Sequence, residues 1–154
     1  MSKNTIKDQK GFTIIEVLIV LAIAGLILLI VFLAVPALQR NARNTAIKND
    51  ASAVAGGVSE FASNNDGARL TTAAGTGTIA IGGAAGTTAT NAKVQGNTVV
   101  SVVGAAPAAG SPTPGNINVV LGRTCGGGNA TRAVAIYYSI ENSSNTPQQK
   151  CLDT

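Results

Sequence analysis

A chain of 154 residues is long enough for one domain, but the first half-hundred residues differ sharply in composition from the rest, so only about 100 remain for a core. The chain has no His, and its seven carboxylates are scattered; no general acid–base pair and no metal-ligand set stands out, so neither a catalytic residue nor a cofactor is expected. The formal charge of +4 permits contact with DNA or an anionic surface without predicting it.

Residues 1–11, M-S-K-N-T-I-K-D-Q-K-G, are polar and net positive, too short and too charged to fold alone. The run G-F-T-I-I-E-V-L-I-V-L-A-I-A-G follows, and from Val17 to Val35 no polar side chain interrupts the apolar stretch. As a helix that stretch is roughly 28 Å long, close to the ~30 Å hydrocarbon thickness of a bilayer. Glu16 stands at its start, where a carboxylate costs several kcal/mol in lipid and less near the interface. A secretory signal peptide would have a shorter apolar region, and a plain single-pass anchor has no use for Glu16. A segment that leaves the membrane and meets a cationic partner does. Lys3, Lys7 and Lys10 precede the span and Arg40, Arg43 and Lys48 follow it, so counting positive charge hardly orients it. The second trio reads as a solvated helix flank.

Beyond Pro36 the helix is expected to continue with a kink, because proline removes a backbone donor. Ile47, Ala51, Val54, Val58 and Phe61 recur at spacings of 4, 3, 4 and 3, one apolar stripe for packing on a sheet, with Asn49, Asp50, Ser52 and Glu60 off it. Gly56-Gly57 weakens the interior, and Asn64-Asn65-Asp66-Gly67 is a stop signal, which gives a helix over about 13–63. Residues 66–115, rich in Gly, Ala and Thr, read mostly as loops, with short strands at 78–81 and 97–103 and a turn-rich connection over 107–115. Strands are also expected over 117–121 and 132–141, joined by a hairpin loop at Cys125–Asn129. In the latter strand, alternation puts Val134, Ile136, Tyr138 and Ile140 on one face. Residues 142–154 are polar and would hang loose unless tied. The glycine-rich segments 82–86 and 126–128 lack G-x-x-x-x-G-K-[ST], and the N-glycosylation patterns at Asn129 and Asn142 arise often by chance. One long helix followed by strands is an α+β pattern with segregated elements.

The short basic leader, G-F-T, Glu16 and the apolar run together resemble the N-terminal signature of type IV pilins and of the pseudopilins of type II secretion, over about residues 7–55. The resemblance implies that a prepilin peptidase cuts after Gly11 and that the amine of Phe12 is then methylated. It assigns Glu16 to assembly, as the partner of a freed Phe12 amine, and Gly25 to a part of the helix that loosens on assembly. Many family members carry a bending proline 17 residues after the glutamate; here Leu33 stands there and Pro36 comes three residues later. The implied fold is the pilin fold, a long helix whose C-terminal half packs on a small antiparallel sheet. The implied organisation is a leader at 1–11, a transmembrane and filament-core helix at 12–36, and the amphipathic helix half with a β head at 37–154. Three of the 11 basic and one of the 7 acidic groups precede the cut, so the mature charge is about +2.

In a chain exported in this way, Cys125 and Cys151, the only cysteines, are expected to pair, much as pilins close a C-terminal disulfide loop. A closed loop of this size is worth roughly 3–4 kcal/mol in the chain-entropy model. The implied function is that of a structural subunit, stored in the inner membrane and polymerised as a homo-oligomer into a surface filament for adhesion, DNA uptake or twitching motility. Its partners would be the peptidase and methyltransferase, and a pilus assembly platform with its ATPases. The alternatives are a pseudopilin of a secretion or competence machine and a membrane-anchored exported binding module. An acidic calcium loop of the kind common in major pseudopilins is not evident.

Overall fold

The computed structural model describes residues 11–108, 113–144 and 146–154. The expected leader before Gly11, and residues 109–112 of the turn-rich connection, lie outside the described residues. One helix, α1 (Ile14–Asn64), is followed by seven strands: β1 (Leu70–Thr76), β2 (Thr78–Gly83), β3 (Thr90–Lys93), β4 (Val99–Val103), β5 (Asn116–Arg123), β6 (Asn129–Glu141) and β7 (Pro147–Asp153). This is the α+β architecture expected of a pilin fold. The chain divides into two compact units, the first ending at Leu38 and the second running from Gln39 to Thr154.

In the first unit α1 is apolar on every face and every large apolar side chain from Ile14 to Leu33 is exposed. Among the described residues it is the one helix long and apolar enough to cross a membrane. It runs through Pro36 without a break in assignment.

The second unit is a sheet with the rest of α1 on one face. Its strand order is β3-β2-β1-β4-β5-β6-β7, and all neighbours are antiparallel except β4 and β5, which run parallel. The sheet is therefore mixed, where the sequence reading had it wholly antiparallel. The apolar stripe lands as read: Ile47, Ala51, Val54, Val58 and Phe61 are all buried, against Leu70, Ile79, Ile81, Ile117, Val119 and Ile136 of the sheet. The alternation read in β6 also holds, with Val134, Ile136 and Tyr138 in this core and Ile140 packed at its edge. A second, smaller cluster of Val120, Ala135 and Tyr137 lies on the opposite face, flanked by Val103, Cys125 and Cys151.

Three readings are corrected and one is extended. Gly57 is where the helix and sheet touch: a Cβ there would stand 2.5 Å from Ile81 Cδ1 and 3.1 Å from Ala92 Cβ, whereas one at Gly56 would meet open space. Asp50, placed off the stripe, is buried; its carboxylate accepts the Gln95 N–H at 3.2 Å and the Thr98 hydroxyl at 2.5 Å, so it fastens the turn between β3 and β4 to the helix. Much of 66–115 is strand. β1 escapes a hydropathy reading because only Leu70 and Ala73 of its residues are buried, and β3 because its inward positions, Thr90 and Ala92, lie against Gly57, where a Cβ would stand 3.1 Å from Ala92 Cβ. Residues 147–153, expected to be held by the Cys125–Cys151 tie, are held by a strand ladder as well, pairing with β6 from Glu141↔Pro147 to Ala135↔Asp153.

α1 stops where Asn64-Asn65-Asp66-Gly67 signalled. Asp66 and Gly67 take positive φ, and the Gly67 N–H returns to the Ala62 carbonyl at 2.7 Å. The Asn65 side chain donates to the Phe61 and Thr88 carbonyls and accepts the Thr88 N–H, which moors the β2–β3 connection to the helix end.

Candidate functional site

Gly11, Phe12 and Thr13 precede the first helical turn, and Phe12 is 89% exposed. Thr13 caps the helix. Its N–H and hydroxyl both donate to Glu16 Oε2, at 2.9 and 2.7 Å, and its Oγ1 accepts the Glu16 N–H at 3.4 Å. This reciprocal arrangement is a capping box, which satisfies two orphan donors of the helix start and holds the carboxylate against the first turn. Glu16 Oε1 has no hydrogen-bond partner among the described residues. The carboxylate thus sits at the helix end nearest Phe12, with one oxygen held and the other open to a cation.

The sequence reading missed Thr13, although T-I-I-E ahead of an apolar run is the [ST]-x-x-[DE] signature of a capping box. Gly25 lies further along the same helix, where a Cβ would meet nothing within 4 Å, and Pro36 lies about three turns beyond it. Gly11, Phe12 and Glu16 are therefore brought together at one helix end, while Gly25 and Pro36 stand apart from them.

In the second unit the trio read as a solvated flank behaves otherwise. Arg43 Nη2 donates to Glu141 Oε2 at 2.6 Å, Arg40 donates to the Ser143 carbonyl at 3.3 Å, and Asn44 exchanges two hydrogen bonds with the Glu141 backbone at 2.7 and 2.8 Å. These contacts strap the start of the packed helix half to the end of β6; Lys48 is exposed and alone of the trio makes no side-chain hydrogen bond among the described residues. A cavity of about 170 Å³ beside this strap is bordered by Ile47, Thr98, Pro114 and Ser139. Cys125 and Cys151 form a disulfide, with Cα atoms 5.8 Å apart, and the Cys125 N–H donates to Asp153 Oδ1 at 2.6 Å. With both sulfurs in that bond, the cluster of Cys125, Cys151 and Asp153 offers a metal no thiolate.

Residues 6–32 match a family model described as the prokaryotic N-terminal methylation motif. No curated protein and no solved structure matches the chain. The match begins ahead of Gly11 and ends inside the apolar helix, so it takes in Phe12, the capping box and Gly25.

Proposed function

We propose, from a chain that carries the N-terminal methylation motif of a type IV pilin-like prepilin ahead of an α+β head, that it is the structural subunit of a type IV pilus. The motif itself implies processing by a prepilin peptidase and assembly into pilus-like oligomers, and with the apolar helix it supports membrane anchoring before assembly. In the finer reading, residues 1–11 are a leader removed after Gly11, Phe12 is N-methylated, 12–36 form the span and then the filament core, and 37–154 form the head displayed outside the cell. An assembly platform with its ATPases would draw the subunit from the membrane. The filament would serve adhesion, DNA uptake or twitching motility.

The observation that carries this reading is an apolar helix exposed on all sides with a single carboxylate in its first turn. In a bilayer such a surface gains little from helix–helix contact, since lipid is as apolar as leucine; outside the bilayer it must be covered by copies of itself. Glu16 then has a reason to exist. A freed Phe12 amine on a neighbouring subunit meets the open Oε1, and because each charge is costly alone, the pair favours correct register.

The test is mass spectrometry of protein sheared from cell surfaces. A mature N-terminus at methylated Phe12 is the expected result, with Cys125 and Cys151 linked. A surface protein that begins at Met1 would turn the chain into the anchored binding module instead.

A further inference from the structure

Two N-x-[ST] patterns stand in the second unit, Asn129-Ala130-Thr131 and Asn142-Ser143-Ser144, and the fold treats them differently. The pattern alone decides nothing; the state of each asparagine does.

Asn142 opens the turn between β6 and β7, and its side chain is spent there. Its Oδ1 accepts the Ser144 N–H at 2.9 Å, the Thr146 N–H at 3.0 Å and the Thr146 hydroxyl at 2.7 Å. Its own N–H donates to the Thr146 carbonyl at 3.0 Å, which closes the turn. Asn142 is half-buried, and its carboxamide reaches a reagent only if the turn is undone.

Asn129 and Thr131 are both exposed, and neither side chain makes a hydrogen bond among the described residues. The backbone there is equally open. The pairing of β5 with β6 jumps from Leu121↔Val134 to Arg123↔Asn129, so one residue of β5, Gly122, faces residues 130–133 of β6. On the other side of β6, β7 pairs only from Ala135, and Thr154 bonds to Val134. Residues 130–133 therefore stand outside the ladder on both sides.

The hairpin loop just ahead is closed on itself, with Thr124 and Gly128 bonded to each other and the Gly127 N–H returned to the Thr124 carbonyl. A Cβ on Gly127 would meet nothing within 4 Å. A segment of this kind enters an enzyme cleft with the sheet and the disulfide intact. A bulky group on Asn129 also finds exposed glycines at 126–128 beside it rather than a packed surface.

We propose that Asn129 is a site of N-linked glycosylation and that Asn142 is not. The donor is an oligosaccharide joined through pyrophosphate to a lipid carrier. In the transfer, Asn129 Nδ2 forms a bond to the anomeric carbon of the first sugar as the bond from that carbon to the phosphate oxygen breaks. The lipid pyrophosphate leaves with the electron pair, the amide nitrogen gives up one proton, and nothing is oxidised or reduced. The Thr131 hydroxyl, two residues on, completes the pattern by which the acceptor is recognised. The inference rests on the surface-filament reading only for delivery of the head to the outer face of the membrane.

The test is mass spectrometry of the full-length protein from the cells that make it, fragmented by electron transfer so that a glycan stays on its residue. The expected result is a glycan on Asn129 and a bare Asn142. Thr131→Ala should reduce occupancy to nothing detectable and Thr131→Ser should restore it, because both leave Asn129 in place and only the second keeps the hydroxyl. Ser144→Ala breaks the second pattern and spares its turn, to which Ser144 gives its backbone N–H, so the glycan should be unchanged. A bare Asn129 in the wild-type surface protein, a glycan that survives Thr131→Ala, or one lost with Ser144→Ala would each overturn the proposal. A mature N-terminus at methylated Phe12 with a bare Asn129 sinks this inference alone; a glycan on Asn129 of a surface protein that begins at Met1 sinks the filament reading alone.

Discussion

Thr13 holds Oε2 of Glu16 and leaves Oε1 without a partner among the described residues, so the capping box separates two tasks within one carboxylate. Glu16→Ala removes both. Membrane insertion should be unharmed or improved, because the span becomes more apolar, and loss of the cap costs only about 1 kcal/mol at the helix start. Assembly should suffer, because a buried Phe12 amine would lack a counter-charge. The measurement is the yield of surface filaments beside the membrane-bound subunit. Filaments and subunit both at wild-type levels would remove Glu16 from assembly. At this scale, whatever depends on neighbours in the sequence was legible: the anomalous Glu16, and the T-I-I-E spacing that encodes its cap. The Asn44–Glu141 and Asp50–Thr98 contacts were not, since 97 and 48 residues separate the partners and nothing local marks either pair.

Elements show the same division. The stripe on α1 and the alternation in β6 were legible because each turns one face to an apolar core and the other away from it. β1, β3 and β7 were not. β1 buries only Leu70 and Ala73, β3 presents Thr90 and Ala92 to a helix that comes close at Gly57, and β7, P-Q-Q-K-C-L-D, is polar because it closes the sheet as an edge strand beside β6. The close approach makes a pair of adjacent glycines respond in opposite directions. Gly57→Ala should lower stability by about 1–3 kcal/mol through overpacking against Ile81 and Ala92, more than offsetting its helical gain, while Gly56→Ala should raise stability by about 1 kcal/mol. Thermal unfolding of the two variants decides; two shifts of the same sign would refute the account. Pairing of β7 also changes what the disulfide is for. Cys125→Ser should cost about 2–4 kcal/mol of stability. Because β7 is hydrogen-bonded to β6 along its length, its amides should keep their protection in hydrogen exchange. Loss of that protection would mean that the disulfide, rather than the ladder, holds the strand.

For the described residues as a whole, the order of segments was readable because each has its own composition: an apolar helix half, an amphipathic helix half and a sheet. In the proposed reading the chain passes from one solvent to another, and the passage begins with a cut. Gly11→Val should block it by crowding the peptidase site, leaving an uncut precursor in the membrane. Mature protein at the normal mass and level from that variant would place the cut elsewhere. The parallel β4–β5 pair was not readable, because it follows from how distant segments are threaded.

That threading has a consequence in time. β1 and β4 share only two paired positions, Gly75↔Val100 and Thr76↔Val99, whereas β4 and β5 share five and β6 and β7 seven. The sheet is therefore two meanders, β1–β2–β3 and β5–β6–β7, meeting at a short seam beside β4. The helix bridges it: Gly57, Phe61 and Asn65 touch the β2–β3 side, and Arg43 and Asn44 hold the end of β6. A seam held from outside opens as a unit, so residues 70–93 form the part of the head that breathes first, and their amides should exchange together, ahead of those in 117–139.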